Sequence, residues 1–141
     1  MVVYCFDRDY TVDTSPSPPR MGESVPLAWV RALAHETPHT VVATGNQHLC
    51  LEADVPGDDL LRERYAALPP GRREAVPTPP AGTPTRRERL RLVEALFAAE
   101  RYVVVDDADL RDVEDDRWTH YYPWEFVDAV RAGRVEVPRV A

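Results

Sequence analysis

Three short apolar runs, separated by segments with helical periodicity, constrain the fold more than any other feature of this chain. The runs are Val2–Phe6, His39–Ala43 and Tyr102–Val105. Short apolar runs bounded by polar residues are typical of buried strands. Strands that alternate with helices usually form a parallel sheet. The sequence therefore predicts an α/β fold with a mainly parallel sheet and helices on both of its faces.

The segments between these runs predict helices and loops. Apolar residues recur at helical spacing in three of them, namely 58–68, 86–100 and 123–132. Ser24 is expected to cap a further helix, with Pro26 in its first turn. The proline-rich residues 12–23 predict a loop. Glu74–Val76 predicts a brief extra strand, and Gln47–Val55 shows no clear preference.

Length and charge limit the classes of protein to which the chain could belong. Its 141 residues form one domain of common size, long enough to bury a core. The net charge of −7 argues weakly against a duplex-DNA binder, which needs a basic face. All 17 basic residues are arginine, and acid richness without lysine indicates a halophilic source. Some acidic residues therefore serve solvation alone.

The cysteines and the hydropathy pattern bear on location. Cys5 and Cys50 are the two cysteines, and they have no C-x-x-C spacing. A disulfide framework is therefore not expected, and a cytoplasmic location is the default. No apolar stretch approaches 18 residues, so no membrane association is expected. The four histidines lack metal-ligand spacing and receive no role.

Two carboxylates follow the first apolar run directly. Asp7 and Asp9 alternate with other residues, and Thr11 continues the pattern. The carboxyl ends of strands form the crevice in which open α/β sheets bind ligands. One carboxylate can attack a substrate while the other exchanges protons. The alternative is an aspartate-rich turn without function.

Two further positions suit binding of an anionic group such as phosphate. Thr44 follows the second apolar run, and its hydroxyl could bond a phosphoryl oxygen, with Gly45 leaving the backbone open. Arg86 begins a helix, where a cation could stabilise a transferring phosphoryl group, and Arg87 is the alternative holder. The competing interpretations are an ordinary turn or N-cap residue for Thr44 and a solvated arginine for Arg86.

The third apolar run ends in a pair of aspartates. Asp106 and Asp107 follow it, and Asp112 lies five residues further on. Carboxylate oxygens at strand ends are ligands that Mg²⁺ prefers. The alternative is a solvated acidic loop, since most residues from 106 to 116 are acidic.

These four patterns, in this order, resemble the motifs of the haloacid dehalogenase-like (HAD) superfamily of aspartate-nucleophile phosphatases. The matches are D-x-D-x-T at 7–11, Thr44 after a strand, T-R-x-x-x-L at 85–90 and DD-x(4)-D at 106–112. The family usually has lysine where Arg86 stands, and arginine is a planar, bidentate donor. The resemblance covers Val2 to Asp112. It implies a Rossmann-like three-layer α/β/α sandwich.

The resemblance also implies a mechanism. Asp7 would be the nucleophile and form an aspartyl-phosphate. Mg²⁺ would be bound by Asp7, by the backbone carbonyl of Asp9 and by Asp107 or Asp106. Asp9 would act as the acid and base, and Thr44 and Arg86 would hold the phosphoryl oxygens. The motif-bearing core would span about 1–112 of the single domain 1–141, followed by an aromatic segment and helix at 117–133.

The spacing of the motifs leaves no room for a full cap domain. An open site suits a large phosphorylated substrate, such as a nucleic-acid end or a protein, or a small molecule if a partner subunit closes the crevice. The aromatic segment WTHYYPW could stack on bases or simply pack in the core. Three hypotheses remain: a Mg²⁺-dependent phosphatase, the same enzyme specialised for polynucleotides or nucleotides, and a non-catalytic binding or scaffold protein.

Overall fold

A computed structural model describes residues 1–14 and 22–140 as a mixed α/β chain. In chain order the elements are β1 (Val2–Phe6), β2 (Val12–Asp13), β3 (Val25–Pro26), α1 (Leu27–His35), β4 (Thr40–Ala43), α2 (Leu49–Ala53), α3 (Asp58–Ala67), α4 (Pro70–Arg73), α5 (Arg86–Leu96), β5 (Arg101–Val105), a short 3₁₀ turn (Arg111–Val113), β6 (Trp118–Tyr121) and α6 (Pro123–Arg131). Four strands form a sheet in the order β4-β1-β5-β6, and all its pairs are parallel. The prediction of an α/β fold with a parallel sheet is confirmed.

The central strand β1 places alternate side chains in two separate apolar clusters. Tyr4 and Phe6 belong to one cluster, to which α1, α2 and α6 contribute. Val3 and Cys5 belong to the other, to which α3 and α5 contribute. Because successive side chains of a strand point to opposite faces, the two clusters lie on opposite sides of the sheet. The apolar runs are continuous because both faces are buried.

The boundaries of the helices differ from the predictions at two places. The helix expected after Ser24 begins at Leu27, and no side chain caps it, because Val25 and Pro26 pair with β2 instead. The helix expected over 86–100 ends at Leu96. There Phe97 adopts an extended conformation and buries its ring in the core.

Two strand predictions also need correction. Glu74–Val76 is not a strand but a turn after the short helix α4, with backbone bonds from 75 to 72 and from 76 to 73. The sheet instead gains β6 from the aromatic segment, where Trp118 and His120 are buried. The loop expected over 12–23 contains β2, and its residues 15–21 lie outside the described residues.

The sheet topology brings distant residues of the chain to one edge. The amide of Asp7 donates to the carbonyl of Val105 over 3.0 Å, and the amide of Thr44 donates to Phe6 over the same distance. The residues that follow β1, β4 and β5 therefore meet at the carboxyl edge of the sheet. None of the helices in the described residues has the length and apolar character needed to cross a bilayer.

Candidate active site

Three carboxylates meet at this edge and form what we call the acidic cluster: Asp7, Asp106 and Asp107. Each offers an oxygen that lies within 4.8 Å of the others. Asp7 and Asp106 are fully buried, whereas Asp107 is partly exposed. The arrangement joins the first and fourth sequence patterns, which are separated by about a hundred residues.

Burial makes the ionised form of these acids costly. It raises the pKa of Asp7 to about 8, and the charge of Asp106 and a hydrogen bond with Asp107 add to the shift. The pKa of Asp106 is also raised, again mainly by burial. A carboxyl in such a place needs either a proton or a nearby cation at neutral pH. Three hard oxygen donors with unbalanced charge fit Mg²⁺ in the chemistry of their ligands.

The Thr11 side chain holds Asp7 and the backbone of Asp107 together. Its fully buried hydroxyl donates to Asp7 Oδ2 over 3.1 Å and accepts a bond from the amide of Asp107, also over 3.1 Å. One hydroxyl therefore links the two strand ends, using both its donor and its acceptor capacity. The third residue of the D-x-D-x-T pattern thus has a structural reason for being threonine.

Arg86 is the arginine that reaches the cluster. Its Nε lies 2.9 Å from Asp106 Oδ2, and its Nη2 lies 3.4 Å from Asp7 Oδ1. Helix α5 presents it from its first turn, which is fixed by a capping box between Thr85 and Glu88. Among the described residues, one cation thus faces three carboxylates.

Arg87 turns away from the cluster. It makes a two-point ion pair with Asp112, with distances of 2.7 and 2.9 Å. The sequence left open whether Arg86 or Arg87 reaches the strand ends, and this contact leaves Arg86 as the arginine beside the acidic cluster. It also separates Asp112 from the acidic cluster, although Asp112 completes the DD-x(4)-D pattern.

Thr44 presents a hydroxyl that no described residue satisfies. The residue is 1% exposed, and its Oγ1 has no hydrogen-bond partner within 1–14 and 22–140. Unsatisfied buried hydroxyls are rare and call for an explanation such as a ligand. The next residue must be glycine, because a Cβ at Gly45 would collide with Asp7 Oδ1. Thr44 and Asp7 are thus close neighbours.

Asp9 has its carboxylate outside the acidic cluster. It accepts bonds from Arg8 Nη1 over 2.7 Å and from Asn46 Nδ2 over 3.0 Å. The Asn46 bond and then Arg8 lower the pKa of Asp9. Glu52 holds Arg8 in turn through two contacts of 2.6 and 3.0 Å. In this arrangement Asp9 is ionised and paired, and its acid–base role stays a prediction.

The structure adds polar residues that the sequence patterns did not single out. Buried Arg89 forms a two-point ion pair with Asp58, which is also buried. His120 is buried, with Nε2 at 3.1 Å from the carbonyl oxygen of Asp106 and no partner for Nδ1 among the described residues. Neither contact has a signal in the sequence, because both depend on how elements pack.

An open cleft of about 740 Å³ lies beside Arg86. Its walls are formed by the loop residues 45–47, 83–85 and 108–110 and by the start of α5, with Arg86, Arg87 and Arg89. The cleft thus runs next to Gly45 and Arg86, both of which contact Asp7. A molecule in the cleft would lie next to Gly45, which follows Thr44, and next to Arg86, which contacts Asp7 and Asp106.

Comparisons with protein-family models, with curated proteins and with solved structures find no match to this chain. The function of this chain is therefore inferred from the geometry of the site itself.

Proposed function

We propose that the protein is a Mg²⁺-dependent phosphatase that acts through an aspartyl-phosphate intermediate. One observation carries the proposal: the buried Asp7 carboxylate belongs to the acidic cluster and contacts Arg86, and the unpartnered hydroxyl of Thr44 follows the neighbouring strand β4. Groups that could bind a cation, attack phosphorus and hold phosphoryl oxygens thus share one edge of the sheet. We also propose a Rossmann-like three-layer sandwich of the HAD type, without a full cap and in the cytoplasm.

The residues divide the chemistry between them. Asp7 would attack the phosphorus atom, so that a bond forms from its carboxylate oxygen as the bond to the leaving oxygen breaks. Thr44 and Arg86 would hold the phosphoryl oxygens, since phosphoryl transfer depends mostly on positioning and charge stabilisation. Asp7, Asp106 and Asp107 would bind Mg²⁺, with the Asp9 carbonyl as the further expected ligand. The ion would offset the repulsion between anionic nucleophile and anionic substrate.

Asp9 would supply the proton to the leaving oxygen and later accept one from the attacking water. This role requires its carboxylate to leave Asn46 and Arg8, which lower its pKa in this structure, and to take up a proton before the leaving oxygen departs. Both contacts are partly exposed to solvent, where ion pairs hold their partners weakly. Asp9 can therefore exchange them for substrate at small cost.

The open cleft suits a phosphorylated substrate of considerable size. Loops and the start of α5 form its walls, and three arginines of that helix, Arg86, Arg87 and Arg89, line it. A nucleic-acid or nucleotide phosphate fits this description, although pairing of Arg87 and Arg89 with aspartates reduces the free positive charge. The alternative function is a non-catalytic binding or scaffold protein of the same fold.

The test is hydrolysis of a generic aryl phosphate by purified protein at high salt, with and without Mg²⁺. We expect phosphate release that requires Mg²⁺ and is absent from Asp7→Asn. No release by the unaltered protein at any Mg²⁺ concentration would favour the non-catalytic alternative. Competition by oligonucleotides with a terminal phosphate, weakening as salt rises, would identify the polynucleotide specialisation.

A further inference from the structure

A buried polar network lies behind Thr44, and the proposed chemistry does not use it. Arg89 Nε and Nη2 donate to the two carboxylate oxygens of Asp58 over 2.7 and 2.8 Å. The side chains of Arg89 and Asp58 are 7% and 11% exposed. The third guanidinium nitrogen of Arg89, Nη1, donates to the carbonyl of Thr44 over 3.5 Å. The ion pair thus touches the turn that follows β4.

Gln47 connects the same turn to the same helix start. Its side-chain nitrogen Nε2 donates to the carbonyls of Ala43 and Gly45, each over 3.0 Å. Its oxygen accepts a bond from the amide of Asp58 over 2.7 Å. A Cβ at Gly57 would collide with this side chain, so the fit is close. One glutamine therefore ties both ends of the turn to α3.

A buried ion pair is weak evidence for stability, because desolvation of the two charges offsets their attraction. Here the pair and Gln47 together bond to three successive carbonyls, those of Ala43, Thr44 and Gly45. These residues hold the unpartnered hydroxyl and the α-carbon against which Asp7 packs. The contacts therefore restrain residues 43–45, which carry the unpartnered hydroxyl and pack against Asp7.

We infer that Asp58, Gln47 and Arg89 are positioning residues that fix the turn 43–47, so that the Thr44 hydroxyl faces a bound phosphoryl group. Arg89 acts through the Thr44 carbonyl and does not itself touch the substrate. The inference rests on the proposed function only for the identity of the bound group. The ordering of the turn is a property of the protein alone.

The experiment replaces both charges at once, by Asp58→Leu with Arg89→Met. Apolar replacement of both partners of a buried pair is often neutral for stability, so this double variant is expected to fold. Amide hydrogen exchange of the peptide spanning 43–47 should become at least about tenfold faster, because local opening loses its restraint. Vanadate, a phosphoryl mimic, should inhibit aryl phosphate hydrolysis about tenfold less tightly, as expected for one weakened hydrogen bond.

The control is Glu23→Leu with Arg131→Met, which removes an exposed two-point ion pair remote from the turn in sequence. It should leave exchange at 43–47 and the vanadate constant unchanged. Unchanged exchange in the Asp58/Arg89 double variant would overturn the inference whether or not the protein is a phosphatase. Faster exchange with unchanged vanadate inhibition would also overturn it, since the pair would then serve stability only. Lack of hydrolysis by the parent protein would count against the proposed function, while the exchange measurement would still decide on the network.

Discussion

The molecule contains two groups of aspartates that differ in their surroundings although both include residues that follow β5. The acidic cluster is buried, and one arginine faces its three carboxylates. The second group, which we call the acidic loop, comprises residues 109–116 and is largely exposed. There Arg111 pairs with Asp109 at 2.8 Å and Arg87 pairs with Asp112 at 2.7 Å.

The two groups have opposite effects on the pKa of their acids. Arg111 lowers the pKa of Asp109, and Arg87 lowers that of Asp112. In the acidic cluster, burial raises the pKa of both Asp7 and Asp106. The number of acids in a segment therefore indicates little about function. Burial without enough cations is what distinguishes the acidic cluster from a solvated loop.

The largest effect should come from Asp7→Asn. The amide cannot form the acyl phosphate, so turnover should fall by on the order of 10⁴-fold. The fold should persist, because the amide keeps the size of the carboxyl group. Steady-state hydrolysis of an aryl phosphate, with circular dichroism for the fold, measures both. Residual activity close to that of the parent protein would show that Asp7 is not the nucleophile.

Arg86→Met should give the next largest effect. Removing a cation aimed at developing phosphoryl charge should cost about 10²–10³-fold in turnover. The matched control is Arg91→Met, on the same helix but outside the cleft, which should change turnover by less than about twofold. Equal losses of turnover in both variants would show that Arg86 does not stabilise the transferring phosphoryl group.

The free energy of unfolding should also distinguish the cluster by its dependence on pH. The raised pKa of Asp7, about 8 in the folded state against about 4 unfolded, means that the folded protein binds more protons between these values. The cluster therefore favours folding at low pH and loses this contribution as pH rises toward 8. Without divalent cations, urea unfolding of Asp7→Asn should show a weaker decline over this range, by on the order of a few kcal/mol. An identical decline in both proteins would contradict the assignment.

The smallest effect should come from the acidic loop. Asp112→Asn breaks an exposed ion pair with Arg87, so the midpoint of urea unfolding should stay close to that of the parent protein. Turnover should also stay within about twofold of the parent value. A large loss of activity would mean that the loop belongs to the site after all.

The strand ends that carry the cluster were predictable from the sequence. Runs such as Val2–Phe6 and Tyr102–Val105 are apolar at every position because both faces of their strands are buried. Once the sheet is parallel, residues after adjacent strands must share an edge. The sequence alone therefore predicts that Asp7 and Asp106 share one edge of the sheet.

Other features depend on packing that the sequence does not encode locally. Strand β6 is an edge strand with alternating burial. Because it contains the polar residue Thr119, it does not form the continuous apolar run that predicts a buried strand. Arg86 and Arg87 have the same local sequence context, and only the orientation of α5 separates them. The pairing of Arg89 with Asp58 needs two helices that are distant in the chain to pack together.

The most direct test of the central claim is a titration with Mn²⁺ followed by electron paramagnetic resonance, with Mn²⁺ as a paramagnetic substitute for Mg²⁺. We predict that the protein binds one ion at the acidic cluster. Asp106→Asn should weaken this binding by at least about tenfold, whereas Asp112→Asn should leave it unchanged. Binding of no ion, or equal affinity in all three proteins, would contradict the claim that these buried carboxylates form a cation site.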